Sequence, residues 1–128
     1  MDNDAEVLVV LRTGKQDRGA AATLAYGWAC TALALGKNVT IFLTMDGTIW
    51  SLKESSKGVR VEGFDPLDEY IEQFFSLGGK MLICAPCTQY YCSIPKDLQS
   101  KEFYEEAELA GLSTVVSMVG KETSVATF

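Results

Sequence analysis

Two short apolar runs flank an alanine-rich stretch near the start of the chain, and that order restricts the fold more than any other feature. Glu6-Val7-Leu8-Val9-Val10-Leu11 is an almost unbroken run of β-branched residues and leucine. Such a run marks a strand buried on both faces. Thr13-Gly14-Lys15-Gln16-Asp17-Arg18-Gly19 interrupts it, and residues 20–35 are strongly helix-forming, with Gly36 placed as a C′ glycine. A second strand, Asn38-Val39-Thr40-Ile41-Phe42-Leu43, then runs into a turn at Met45-Asp46-Gly47. Strand, helix and strand in this order make a right-handed βαβ unit, which needs a sheet covered by helices.

The rest of the chain is read the same way. Ile49-Trp50-Ser51-Leu52 reads as a short helical turn, and residues 54–63, polar with two glycines, as an exposed loop. Asp65-Pro66 supplies an N-cap and a first-turn proline for a helix ending at residue 77, with Tyr70, Phe74 and Leu77 as its apolar stripe. Gly78-Gly79 ends that helix, and Lys80-Met81-Leu82-Ile83 forms a third strand. Residues 101–110 read as an acidic helix closed by Gly111, residues 114–119 as a fourth strand and residues 124–128 as a short fifth. In that helix Glu102, Glu105, Glu106 and Glu108 form a solvated face. The expected architecture is one α/β domain over residues 1–128, an open and mostly parallel sheet with helices on both faces.

Composition narrows the chemistry. A net charge of −6 argues against a non-specific grip on nucleic acid or anionic lipid. No apolar run approaches the roughly 20 residues of a membrane span, and the acidic start Met1-Asp2-Asn3-Asp4 is unlike a secretion signal. The expectation is a cytoplasmic protein without a membrane span. Neither GxGxxG nor GxxxxGK[ST] is present, so no cofactor is expected. The chain contains no histidine, which removes Ser-His-Asp and Cys-His nucleophile systems and mixed Cys/His zinc sites.

Sulfur remains. Three of the four cysteines fall in Cys84-Ala85-Pro86-Cys87-Thr88-Gln89-Tyr90-Tyr91-Cys92, immediately after the third strand. A strand of this kind delivers its carboxyl end to the edge where open α/β sheets place their sites. In a reducing compartment, cysteines so clustered serve as reactive groups or metal ligands more often than as structural bridges. The residues expected to carry chemistry are Cys84 and Cys87. Lys15, Arg18, Asp46, Gly47, Trp50 and Cys92 are candidate substrate-binding residues, the two cations as stabilisers of a thiolate. A closed zinc site needs a fourth ligand that the cluster lacks, so no metal is expected. Cys30 lies among helical alanines and reads as core. A CxxC dithiol redox protein and a non-catalytic oligomeric binding module, with an apolar pocket near Trp50, are the alternatives.

With these elements in place the chain resembles the DsrE/DsrF-like family of sulfur-relay proteins, which includes the Tus sulfur-transfer subunits. The resemblance rests on the opening strand, the alanine-rich helix, Gly36-Lys37-Asn38-Val39-Thr40-Ile41-Phe42 leading to Asp46-Gly47, the strand ending in Cys84, and Ala110-Gly111. It implies a flavodoxin-like sheet, assembly as a homotrimer or homohexamer, and protein partners that donate and accept sulfur. It also implies a sulfurtransferase-like role in which Cys84, by position, holds sulfane sulfur as a persulfide. Members often continue into an Arg-Gly stretch where this chain has Tyr91-Cys92-Ser93-Ile94, and Cys87 is not general. The second thiol adds a Cys84–Cys87 disulfide to the expected chemistry.

Overall fold

The computed structural model describes residues 5–88 and 103–128. Five strands form one sheet in the order β4-β3-β2-β1-β5, every neighbouring pair parallel. They are β1 (Val7–Leu11), β2 (Val39–Leu43), β3 (Lys80–Cys84), β4 (Glu108–Ala110) and β5 (Ser124–Thr127). Helices α1 (Ala20–Ala34) and α2 (Leu67–Ser76) cover one face; the short α3 (Leu112–Ser117) packs on the other. The open α/β sheet with helices on both faces is the expected one. No helix among the described residues is long and apolar enough to cross a membrane.

The alternation of side chains along each strand divides the core in two. Val7, Val9 and Leu11 join Val39, Ile41, Leu43 and Met81 beneath α1 and α2. Leu8, Phe42, Leu82 and Cys84 point the other way, toward Val115 of α3. This two-sided burial is why the central strands read as continuous apolar runs. α1 sits close to the sheet because Ala22, Ala25, Ala29 and Ala32 form its buried side. Asp17 holds its start by accepting the N–H groups of Gly19 and Ala21 at 3.0 and 2.8 Å.

The lower half of the chain departs from several expectations. In α2 the buried stripe is Leu67, Ile71 and Phe74, and Leu77 is exposed. The helix begins one residue later than Asp65-Pro66 implies, with Pro66 at the N-cap without a side-chain bond, and it ends at Ser76, so Leu77 falls at the C-cap beyond the packed stripe. Tyr70 lies at the rim, where its hydroxyl accepts the Asp65 N–H at 3.4 Å. Residues 54–63 are not wholly exposed, for Ser55 and Ser56 are buried and Ser56 bonds to the Tyr104 hydroxyl at 3.3 Å.

The acidic helix expected over residues 101–110 is absent from its described part, which forms turns leading into β4. Like charges at Glu105, Glu106 and Glu108 give a helix no support, whereas Tyr104 gains a backbone bond to Ser51 at 3.0 Å and a ring contact with Phe75. Glu105, Glu106 and Glu108 are exposed, as a solvated face would be, but on turns and an edge strand; Glu102 lies outside the described residues. The strand expected over residues 114–119 is helix α3. It overrides its own β-branched composition because only Val115 and Met118, three apart, face the sheet. α3 carries the chain from β4 across the sheet to β5, beside β1.

Candidate functional site

Parallel pairing builds the site from two adjacent strand ends. β2 and β3 are in register with Leu43 opposite Ile83, so Thr44 and Cys84 follow side by side. Beyond Cys84 the backbone turns helical over residues 85–88, which brings Cys87 back over the strand ends. Thr88 secures that turn through its hydroxyl, which donates to the Ala85 carbonyl at 2.7 Å. Cys84 and Cys87 are both buried, at 6% and 5% exposure, and share one core cluster with Leu8, Phe42 and Leu82.

Two neighbouring groups meet the Cys87 sulfur. The Met45 N–H donates to Sγ at 3.2 Å, and the Thr44 hydroxyl lies 3.5 Å from it. Cys84 lies with it in the same buried cluster. Burial by itself pushes the Cys87 pKa up, but the influence of Cys84, Thr44 and the Met45 N–H, with a smaller one from Thr48, outweighs it and holds the thiol below its ordinary range. Cys84 moves the opposite way: burial raises it, and the neighbouring Cys87 raises it further. The pair is thus polarised, with the second cysteine of the CxxC favoured as thiolate.

Met45 achieves this contact at a backbone cost. Its φ is +50°, in the left-handed region, where a side chain other than glycine or asparagine is disfavoured by about 1–2 kcal/mol. The following 3₁₀ turn, Met45–Ser51, leaves it no freedom. The Gly47 N–H donates to the carbonyls of Thr44 and Arg12 at 2.9 and 3.1 Å, and a Cβ on Gly47 would stand 2.1 Å from the Leu11 carbonyl oxygen. Trp50 fastens the far end, its indole N–H donating to the Thr13 carbonyl at 2.9 Å. The Thr48 hydroxyl is fully buried and makes no hydrogen bond among the described residues, and its presence favours the charged form of Cys87.

The other expected residues take structural places. Trp50 is fully buried and joins the loop after β1 to the turn after β2. Lys15 lies over the Trp50 ring, 5.9 Å from its centroid, and Arg18 is an exposed left-handed residue closing the 3₁₀ turn Lys15–Asp17. Burial is the largest influence on Cys87 and hydrogen bonds come next, ahead of these cations. Asp46 is exposed and receives the Gln16 amide N–H at 3.2 Å, while Gly47 acts through its backbone. Cys30 is core: its thiol donates to the Tyr70 carbonyl at 3.3 Å, and burial pushes it up to about 11. Cys92 lies outside the described residues. Among the described residues no three Cys, Asp or Glu side chains gather as a metal site would require.

Thr44, Met45 and Thr48 are absent from the residues singled out in the sequence. Thr44 had a usable signal, since it follows β2 just as Cys84 ends β3. The left-handed Met45 and the inward Thr48 hydroxyl leave no mark in residue type or spacing.

An apolar groove of about 900 Å³ lies away from the thiols along α1 and β5, between Trp28, Leu24, Phe64 and Val125.

The family model described as the DsrE/DsrF-like family matches residues 6–128. An uncharacterised protein of Methanopyrus kandleri is 30% identical over 107 residues, covering 84% of this chain and 81% of its own length. An uncharacterised protein of Methanocaldococcus jannaschii is 25% identical over 114 residues, 89% of this chain but 40% of that longer relative. Among solved structures, the ychN protein of E. coli superposes with a TM-score of 0.71 over 95% of this chain and 97% of its own, at 13% identity. At that identity the likeness concerns the fold.

Proposed function

The chain belongs to the DsrE/DsrF-like family, and on that premise we propose that it carries sulfane sulfur as a persulfide on Cys87, with Cys84 as its partner thiol. The observation that carries this reading is the convergence of the Met45 N–H and the Thr44 hydroxyl on the Cys87 sulfur. Such donors favour an anionic sulfur, and the thiolate is the form that attacks. We assign to Cys87 the carrier role that the resemblance gives Cys84, on the ground that the Met45 N–H and the Thr44 hydroxyl meet the Cys87 sulfur. The Cys87 thiolate attacks the outer sulfur of a persulfide or polysulfide donor, the donor leaves as a thiolate or shorter polysulfide, and a protein acceptor's thiolate then removes the held sulfur. Nothing in this chemistry needs histidine.

The assembly and partners belong to the same reading. The surface along α1 and β5 exposes Leu24, Trp28, Leu35 and Val125, an apolar area suited to another copy of the chain in a homotrimer or homohexamer. The test of the carrier role is site mapping. Reduced protein is exposed briefly to inorganic polysulfide, alkylated, and digested with trypsin. Residues 81–96 emerge as one peptide bearing Cys84, Cys87 and Cys92, so fragment ions must place the added sulfur. The reading expects it on Cys87; sulfur confined to Cys84 or Cys92, or none at all, contradicts it.

A further inference from the structure

We propose that Cys84 discharges the Cys87 persulfide as hydrosulfide, closing a Cys84–Cys87 disulfide that an external dithiol must reopen. The inference rests on the carrier reading and adds to it an internal exit for the sulfur. Its basis is placement. Cys84 ends β3, Cys87 stands on the helical turn over residues 85–88, and both lie in one buried cluster. Both border Thr44, which follows β2 beside Cys84 and whose hydroxyl lies 3.5 Å from the Cys87 sulfur. An acceptor from another protein must reach into a residue that is buried, whereas Cys84 is already inside. A reactant held at contact gains an effective concentration far above any attained in solution.

The step balances as follows. The Cys84 sulfur bonds to the Cys87 sulfur, and the bond between Cys87 and the outer sulfur breaks. The bonding pair leaves on the outer sulfur, which takes the Cys84 proton and departs as HS⁻. Each cysteine sulfur gives up one electron, and the sulfane sulfur gains two. No oxidant is required; the later reopening consumes a dithiol. The empty carrier restrains this reaction. Burial and the neighbouring Cys87 keep Cys84 protonated. Loading moves the negative charge one bond outward and removes the second restraint.

The test compares the full chain with its Cys84→Ser and Cys87→Ser variants, all in a Cys92→Ser background. Each is loaded briefly with inorganic polysulfide, desalted without oxygen or reductant, and followed by sulfide release and intact mass. The unsubstituted pair should release one sulfide per loaded chain, its mass falling from one added sulfur to the loss of two hydrogens. Cys84→Ser should hold its sulfur on the order of tenfold longer or more. A pair that keeps its sulfur as long as Cys84→Ser overturns the discharge alone, as does sulfide release without a disulfide. Failure of Cys84→Ser to load, repeated with Cys84→Ala, overturns the carrier reading and the discharge with it. Loading of Cys87→Ser moves the carrier to Cys84 and likewise overturns both.

Discussion

A thiol as enclosed as Cys87 would ordinarily keep its proton, because burial penalises the charged form. Its donors reverse that outcome, and the Thr48 hydroxyl separates a functional contribution from a structural one. That hydroxyl is buried and makes no hydrogen bond among the described residues, so removing it should not weaken the fold. Thr48→Val is therefore expected to leave the thermal midpoint unchanged or raised. It should also move the pH at which Cys87 becomes reactive upward, because Thr48 favours the charged thiol. Iodoacetamide rates measured against pH provide the check, and an unshifted profile would remove Thr48 from the site. In the unsubstituted chain the same experiment should show Cys87 titrating below an ordinary thiol. Cys30, pushed up to about 11, should stay inert near neutrality. Labelling of Cys30 ahead of Cys87 would contradict the assignment.

At the scale of elements, the site depends on how tightly the 3₁₀ turn after β2 lies against the end of β1. Gly47 permits that approach, since any Cβ there would meet the Leu11 carbonyl oxygen. Gly47→Ala should cost on the order of 3 kcal/mol in urea unfolding through the backbone shift it forces. It should also slow Cys87 alkylation, because the shift carries the Met45 N–H away; full stability with unaltered rates would contradict the role given to this turn. The elements show what residue patterns convey. β1, β2 and β3 are legible as apolar runs because they are buried on both faces, and α1 is legible because its alanines are excellent helix formers. Residues 114–119 mislead because their β-branched side chains are mostly exposed, and tertiary contact at Val115 and Met118 decides the conformation. The thiols are legible from their CxxC spacing, but their order of acidity depends on backbone N–H direction and strand adjacency. Neither is written in the local sequence.

For the whole molecule, one face of α1 and the β5 edge remain apolar and uncovered, with Trp28 52% exposed against Phe128. Light scattering at micromolar concentration should therefore give a multiple of the chain mass, and Trp28→Glu should lower it by placing a charge in the contact. A monomer before substitution would remove the oligomer from the account. The thiols lie in the opposite core layer, so Trp28→Glu should leave the mass gained on brief polysulfide exposure unaffected unless the partner completes the site. The central claim is that sulfur is held on Cys87. Its most direct test is intact-mass measurement of Cys84→Ser and Cys87→Ser after brief exposure to a sulfane donor. The prediction is a gain of one sulfur by Cys84→Ser and none by Cys87→Ser; loading that survives loss of Cys87 but not of Cys84 would contradict it.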